Sequence, residues 1–216
     1  MVSISSLSNT FVKGLDFSGV TSTEITSLTS DQISILSTGQ ISAITTSAIS
    51  SISTAAIAQL SVNQIYALTI NQIAYLSTGQ LVSLGTSQVA ALSSAQVRAI
   101  SSANLATMEA EDIAALTTAA IAALTTAQMS NLTTNQLVSL STKQVAALTS
   151  AQASAISSAN LATMETADIA ALSTAAVGAL TTAQMSKLTT DQLKSFSSKQ
   201  VAALTTAQLN AMFSSS

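Results

Sequence analysis

The chain has 216 residues, of which 48% are hydrophobic and only 7% charged, with a net charge of −3 and no Pro, Cys, His or Trp. Average domains carry about 25% charged residues, so the surface must consist mainly of neutral hydroxyl and amide groups. Six cationic side chains are too few for a nucleic-acid footprint, and no apolar run approaches the length that membrane insertion needs. Without His and Cys, the commonest nucleophiles, bases and metal ligands are missing, so we expect no enzyme activity and no cofactor.

Residues 1–19 differ from the sequence that follows them and include Phe11, Lys13, Gly14 and Phe17. They have neither the basic start nor the apolar run of a cleavable secretion signal. A repeat array needs a cap over its first core layer. We therefore predict that residues 1–19 form an N-terminal cap.

Residues 20–211 form 24 tandem octads with the consensus Leu-Thr-Thr-Ala-Gln-Ile-Ala-Ala. Position 1 is always apolar, position 6 is Ile, Val, Leu or Met in all octads but one, and no charged residue occupies either position. This segregation predicts that positions 1 and 6 form the core. Representative core residues are Leu124, Met129, Leu132, Leu137, Leu140 and Val145.

Each octad also carries a signal for the start of a helix. Position 2 is Ser or Thr in 21 octads and position 5 is Gln in 15. This is the capping box, in which the hydroxyl accepts from the N3 amide and the Gln side chain reaches back to the N-cap amide. Predicted capping pairs are Thr125 with Gln128, Thr133 with Gln136, Ser141 with Gln144, and Thr181 with Gln184.

The recurring caps predict an all-α solenoid of short helices, one per octad. In a single long helix the apolar positions would drift by about 80° per octad and never form one face. A parallel β-solenoid is the alternative, because Thr, Ile and Val favour strands. Its corners need Gly, Asn or Asp, whereas only six Gly occur in the chain. Because isolated helices this short are unstable, neighbouring octads must stack.

The octads are themselves grouped into a longer sequence repeat of seven octads. Residues 92–147 and 148–203 match at most positions, and residues 36–91 follow the same scheme more loosely. Duplication of a 56-residue block explains this, but it leaves open whether seven octads complete a whole number of turns. Residues 212–216 follow the array as a short C-terminal tail, and the sequence predicts that this end is poorly capped.

One group of carboxylates, Glu109, Glu111 and Asp112, is the only candidate for a metal site, as a weak Ca²⁺ site. Glu165 and Asp168 repeat part of it one block later. Glu109 stands at an N-cap position and Asp112 at an N3 position, where the helix dipole favours acidic groups. We therefore predict helix capping here, and no metal.

Two resemblances bear on the repeat. Residues 140–148, Leu-Ser-Thr-Lys-Gln-Val-Ala-Ala-Leu, resemble the opening of the repeats in transcription-activator-like effectors, which begins a helix; the base-reading loop is missing. The whole tandem, Leu-Thr-Thr-x-Gln-[Ile/Val]-Ala-Ala over residues 20–211, is similar to Ser/Thr/Ala-rich repeat regions of large secreted or surface proteins of bacteria with adhesin-like character. That likeness implies an extracellular or cell-surface location and a structural or adhesive role.

From these features we expect a repeat scaffold that spaces, adheres or forms filaments with copies of itself. A binding module for a peptide or a glycan is one alternative. An ice- or surface-binding protein is another, because paired hydroxyls at positions 2 and 3, such as Thr117 and Thr118, recur along the array.

Overall fold

The computed structural model describes residues 8–213, and this part of the chain consists of short α-helices without strands. The all-α prediction is therefore confirmed, with about one helix per octad, and the β-solenoid alternative is wrong. The helices are α1 (Asn9–Val12), α2 (Ser22–Thr26), α3 (Ser30–Ser34), α4 (Thr38–Ala43), α5 (Thr46–Ile49), α6 (Thr54–Ala58), α7 (Val62–Ala67), α8 (Ile70–Ala74), α9 (Thr78–Val82), α10 (Thr86–Ala90), α11 (Ser94–Ala99), α12 (Ser102–Leu105), α13 (Ala110–Ala115), α14 (Thr118–Ala123), α15 (Thr126–Asn131), α16 (Thr134–Val138), α17 (Thr142–Ala146), α18 (Ser150–Ala155), α19 (Ser158–Thr163), α20 (Thr166–Ala171), α21 (Thr174–Gly178), α22 (Thr182–Met185), α23 (Thr190–Lys194), α24 (Ser198–Ala202) and α25 (Thr206–Phe213).

The corners between helices are made by the residues at positions 1 and 2. After α15, for example, Leu132 (φ −59°, ψ 135°) and Thr133 (φ −69°, ψ 162°) are both extended, and α16 starts at the next residue. Any L-residue adopts these angles, and no residue between 8 and 213 has a positive φ. The corners therefore need no glycine, and the hydroxyl of position 2 restarts the helix.

The chain forms two compact units, Met1–Met108 and Glu109–Ser216. Within each unit, a helix packs against the helix three places further along; α4 packs on α7 in the first unit and α17 on α20 in the second. Packing of this kind between repeats is that of a solenoid. In both units the core consists of the residues at positions 1 and 6.

The length of a turn follows from hydrogen bonds between helices. In the first unit the Gln72 side chain donates to the carbonyls of Ile41 and Ile44, 31 and 28 residues earlier. In the second unit Gln184 bonds to Ala153 and Ile156 with the same offsets. A turn is therefore close to 28 residues, or three and a half octads. Seven octads, the length of the longer repeat, therefore span two turns.

The described part of the predicted N-terminal cap contains α1 and an irregular segment that leads to the first octad. Val12 and Phe17 are fully buried there. Residues 1–7 of the predicted cap and residues 214–216 of the predicted tail lie outside the described residues.

Candidate functional site

The glutamines at position 5 are the most regular feature of the molecule, and we call them the glutamine ladder; they are Gln32, Gln40, Gln64, Gln72, Gln80, Gln88, Gln96, Gln128, Gln136, Gln144, Gln152, Gln184, Gln192, Gln200 and Gln208. In each, Oε1 accepts from the backbone N–H of its own N-cap residue at 2.7–3.0 Å. This bond satisfies a donor that the start of a helix would otherwise leave unpaired.

The predicted capping pairs all lie in the second unit, and their geometry is uniform. The hydroxyls of Thr125, Thr133, Ser141 and Thr181 accept from the backbone N–H of Gln128, Gln136, Gln144 and Gln184 at 3.1–3.4 Å. The predicted core residues at positions 1 and 6 of the same region are all buried: Leu124, Met129, Leu132, Leu137, Leu140 and Val145.

The other end of the glutamine side chain connects turns. In Gln152, Nε2 donates to the carbonyl oxygens of Ile121 at 2.9 Å and Leu124 at 2.8 Å, in the preceding turn. These carbonyls lie at the C-terminal end of α14, where helices leave acceptors unsatisfied. One amide therefore caps the start of its own helix and the end of a helix one turn away.

This double role requires an amide. A capping box accepts Glu as readily as Gln, but a carboxylate has no N–H to donate. The one Glu at position 5, Glu24, is exposed and accepts from the Thr21 amide at 2.9 Å and hydroxyl at 2.7 Å. These two bonds lower the pKa of Glu24. The sequence predicted the caps but not the burial of position 5. The preference for Gln over Glu at this position could have indicated that burial, because a buried side chain that must also donate cannot be a carboxylate.

Three consecutive octads in each of the later 56-residue blocks lack the glutamine. Their position-5 residues are Asn104, Asp112 and Ala120 in one block and Asn160, Asp168 and Ala176 in the next. At the two asparagines, a position-3 hydroxyl of the preceding turn bonds to the position-5 side chain. Thr78 Oγ1 donates to Asn104 Oδ1, and Thr134 Oγ1 to Asn160 Oδ1, both at 2.8 Å.

Asp168 places a carboxylate at position 5 of its octad. Burial raises the pKa of Asp168, and the nearby charge of Glu165 raises it further, whereas a hydrogen bond from the Thr142 side chain opposes the shift. The ionised form is therefore less favourable here than in water.

The structure does not assemble the carboxylates into a site. Asp112 is buried, whereas Glu109 and Glu111 are exposed. No group of three or more His, Cys, Asp or Glu that could hold a metal ion occurs among residues 8–213. Glu109 and Glu165 stand at the N-cap of α13 and α20, but neither side chain makes the cap hydrogen bond. A Ser or Thr hydroxyl is two bonds from Cα, which suits the N3 amide, whereas the Glu carboxylate lies further out and is in solvent.

The repeats match a known protein family. The model of the ALTTAQ repeat matches residues 71–102, 105–142, 161–197 and 187–214, together more than half of the chain. The chain belongs to the ALTTAQ repeat family. The six residues that give the family its name, Ala-Leu-Thr-Thr-Ala-Gln, occur here as residues 123–128, and their glutamine is the ladder residue Gln128. No curated protein matches the chain.

Among residues 8–212 of this ALTTAQ repeat chain, four exposed large apolar side chains lie close together in the sequence. Tyr66 is 67% exposed and Tyr75 60%, and Val62 and Ile70 are also exposed. All four lie on α7 and α8 or directly after α8, within a stretch, residues 32–97, that contains no charged residue. Among the described helices of the ALTTAQ chain, none is long and apolar enough to cross a membrane.

Proposed function

We propose that this ALTTAQ repeat chain is an uncharged spacer scaffold at the bacterial cell surface or outside the cell, which associates with copies of itself and has no enzymatic activity. The glutamine ladder is the observation that carries the proposal. A chain of repeats that bond only to their neighbours gains length by adding repeats. Here an added octad with a ladder glutamine brings the cap for the start of its own helix and for the end of a helix one turn earlier.

The composition of the surface supports an extracellular location. Neutral hydroxyl and amide groups need no counter-charge, and their hydration depends little on salt. The likeness of the tandem repeat to repeat regions of secreted and surface proteins also supports an extracellular or cell-surface location.

A block deletion tests the spacer proposal. A variant without residues 148–203 loses seven octads and keeps the sequence of every remaining octad. In the producing bacterium, both proteins should be labelled by a reagent that cannot enter cells, and an epitope placed after the array should lie closer to the cell in the variant. Intracellular retention, or an enzymatic activity that the deletion abolishes, would contradict the proposal.

The exposed tyrosines favour a second candidate, a binding module for a peptide or a glycan. Tyrosine offers a large rigid contact surface with a polar end, and Asn63 and Asn71, also exposed, add amide groups beside Tyr66 and Tyr75 in the sequence. Replacing Tyr66 and Tyr75 by Ala should abolish binding on a glycan or peptide array if this candidate is correct, and leave the spacer properties unchanged.

Ice binding receives less support from the structure. Several hydroxyls at position 3 form bonds within the protein, as Ser22 does with the Ser47 carbonyl and Ser150 with the Ala175 carbonyl, both at 3.0 Å. The row of hydroxyls is therefore not uniformly free to order water.

A further inference from the structure

A small cavity lies between two successive turns of the first unit. Its volume is about 140 Å³, which is room for a small organic molecule or a few waters. Ile25, Leu28 and Ile52 beside it are buried, whereas Thr26 and Ser53 are exposed, so the cavity opens to solvent on the side of the hydroxyl groups. The described residues that line it are all uncharged: Ile25, Thr26, Leu28, Ile33, Ser51, Ile52, Ser53 and Ala56.

The next octad shows what occupies the equivalent space elsewhere in the array. Gln64 Oε1 accepts from the Ser61 N–H, three residues earlier, at 2.7 Å. In the preceding turn, Gln64 Nε2 donates to the carbonyls of Ser34 at 3.0 Å and Leu36 at 2.8 Å, which lie 30 and 28 residues earlier. A longer contact of 3.4 Å reaches the carbonyl of Ile33, 31 residues earlier. The space between the two turns therefore holds a primary carboxamide.

The cavity lies where the glutamine ladder is interrupted. Position 5 of octad 52–59 is Ala56, which is 2% exposed. The offsets seen at Gln64, counted back from residue 56, lead to four residues of the cavity lining: Ser53, Leu28, Thr26 and Ile25. The cavity therefore corresponds to the place of a glutamine carboxamide, and the groups that bond to one in the next octad recur around it.

Two backbone groups at the cavity are available to a ligand. Within the described part of the chain, no group donates to the Leu28 carbonyl, and none accepts from the Ser53 N–H. The corresponding groups of the next octad, in Leu36 and Ser61, both bond to Gln64. A ligand that accepts at one atom and donates at its neighbour matches this pair, and a primary carboxamide has that pattern.

We propose that this cavity binds a primary carboxamide, either of a small amide or of a glutamine side chain in a peptide. The ligand oxygen accepts from the Ser53 N–H, and the ligand NH₂ group donates to the carbonyls of Leu28 and Thr26. Acetamide is the matching probe, because acetamide and the Ala56 methyl group together have the heavy atoms of a glutamine side chain. So small a ligand binds weakly, with a dissociation constant on the order of millimolar. The site goes beyond the spacer role and does not depend on it.

NMR titration of the full chain with acetamide tests the site. The signal of the Ser53 backbone N–H should move downfield and saturate as the hydrogen bond forms. Acetone has the shape of acetamide but no N–H, so it should bind at least about tenfold more weakly, because it leaves the carbonyls unpaired. A capped Gly-Gln-Gly peptide distinguishes the two sources of the carboxamide. A shift with this peptide as well assigns the site to side chains, whereas a shift with acetamide alone assigns it to small amides.

Two variants separate the cavity from the rest of the surface. Ala56→Gln supplies the carboxamide from the chain itself and should abolish the shift of Ser53 with acetamide. Ala55→Gln is the matched control, because it makes the same substitution at the exposed neighbouring position; it should titrate as the wild type does. Circular dichroism shows that each variant is folded.

Three results would each overturn the inference and leave the spacer proposal standing. The first is a Ser53 signal in the wild type that does not saturate with acetamide. The second is equal binding of acetamide and acetone, since the carbonyls then contribute nothing. The third is a folded Ala56→Gln variant that titrates like Ala55→Gln, because the ligand then binds outside the cavity.

Discussion

At the scale of single residues, the stability of this protein depends on an uncharged side chain with both a donor and an acceptor. A ladder glutamine such as Gln152, which is 2% exposed, uses both ends in a buried position. Buried polar groups are costly unless they are hydrogen-bonded, and no buried side-chain nitrogen or oxygen among the described residues lacks a partner. The amide can therefore occupy the boundary between two turns without a penalty.

Gln152→Glu should destabilise the protein by about 2–4 kcal/mol at neutral pH, because it keeps the acceptor but sets a carboxylate against the carbonyls of Ile121 and Leu124. Urea denaturation followed by circular dichroism measures the change. Gln59→Glu makes the same substitution at an exposed position and should have almost no effect. Equal losses in the two variants would show that the bond between turns is unimportant.

Asp168 should make stability depend on pH. Because the folded protein raises the pKa of Asp168 above its ordinary value of 3.8, the folded state binds the proton more tightly than the unfolded state. The contribution of Asp168 to the free energy of unfolding is greatest below pH 3.8, and it is lost as the pH rises through the pKa of the folded state. Asp168→Asn keeps an oxygen for Thr142 and cannot ionise, so its melting temperature should exceed that of the wild type at pH 7 and approach it in acid. A difference independent of pH would disprove this.

At the scale of the helix, four to eight residues are too few for independent stability, so the caps decide whether each helix forms. Gly85 is an N-cap residue without a hydroxyl, although its N–H donates to Gln88 Oε1 at 2.8 Å. Its φ of −82° suits any L-residue, and a Cβ there would meet no atom closer than 3.9 Å. The missing cap can therefore be supplied.

Gly85→Ser should stabilise the protein by about 0.5–1 kcal/mol, through the new cap and the lower entropy of the unfolded chain. Thermal unfolding measures this gain. Gly19→Ser lies in open space and caps none of the described helices, so it isolates the entropic part. A Gly85→Ser gain no larger than that of Gly19→Ser would mean that the hydroxyl contributes nothing.

The helices themselves could be predicted because their signals are local. Thr125 and Gln128 lie three residues apart, and the bonds between them depend only on the start of that helix. The length of a turn could not be predicted, because it is set by contacts such as Gln152 with Leu124, 28 residues away, which no local pattern encodes. Sequence spacing placed Glu109, Glu111 and Asp112 side by side, but their exposure differs because, of these three, only Asp112 stands at position 5, which is buried between turns.

At the scale of the whole molecule, two periods coexist in the chain. The octad sets where each helix begins, and the turn of about 28 residues sets which octads meet. Three and a half octads per turn place a ladder glutamine against carbonyls of two octads in the preceding turn, as in Gln152, which bonds to Ile121 and Leu124. Gln72 and Gln80, in consecutive octads, bond to carbonyls with the same offsets of 31 and 28 residues. The relation to the preceding turn therefore repeats at each ladder glutamine, and a block of whole octads can be added or lost without a mismatch.

Deletion of residues 148–203 should therefore leave a folded protein, because Ala147 is then followed by Leu204 where Leu148 stood, and every Gln keeps acceptors 28 residues before it. We expect the helical signal per residue in circular dichroism to be unchanged, with cooperative melting. Deletion of residues 148–199 removes four residues fewer, yet it joins Ala147 to Gln200 and omits the apolar corner and the N-cap hydroxyl. That variant should lose helical signal and melt at lower temperature. If the two deletions behaved alike, the octad register would not be what holds successive turns together.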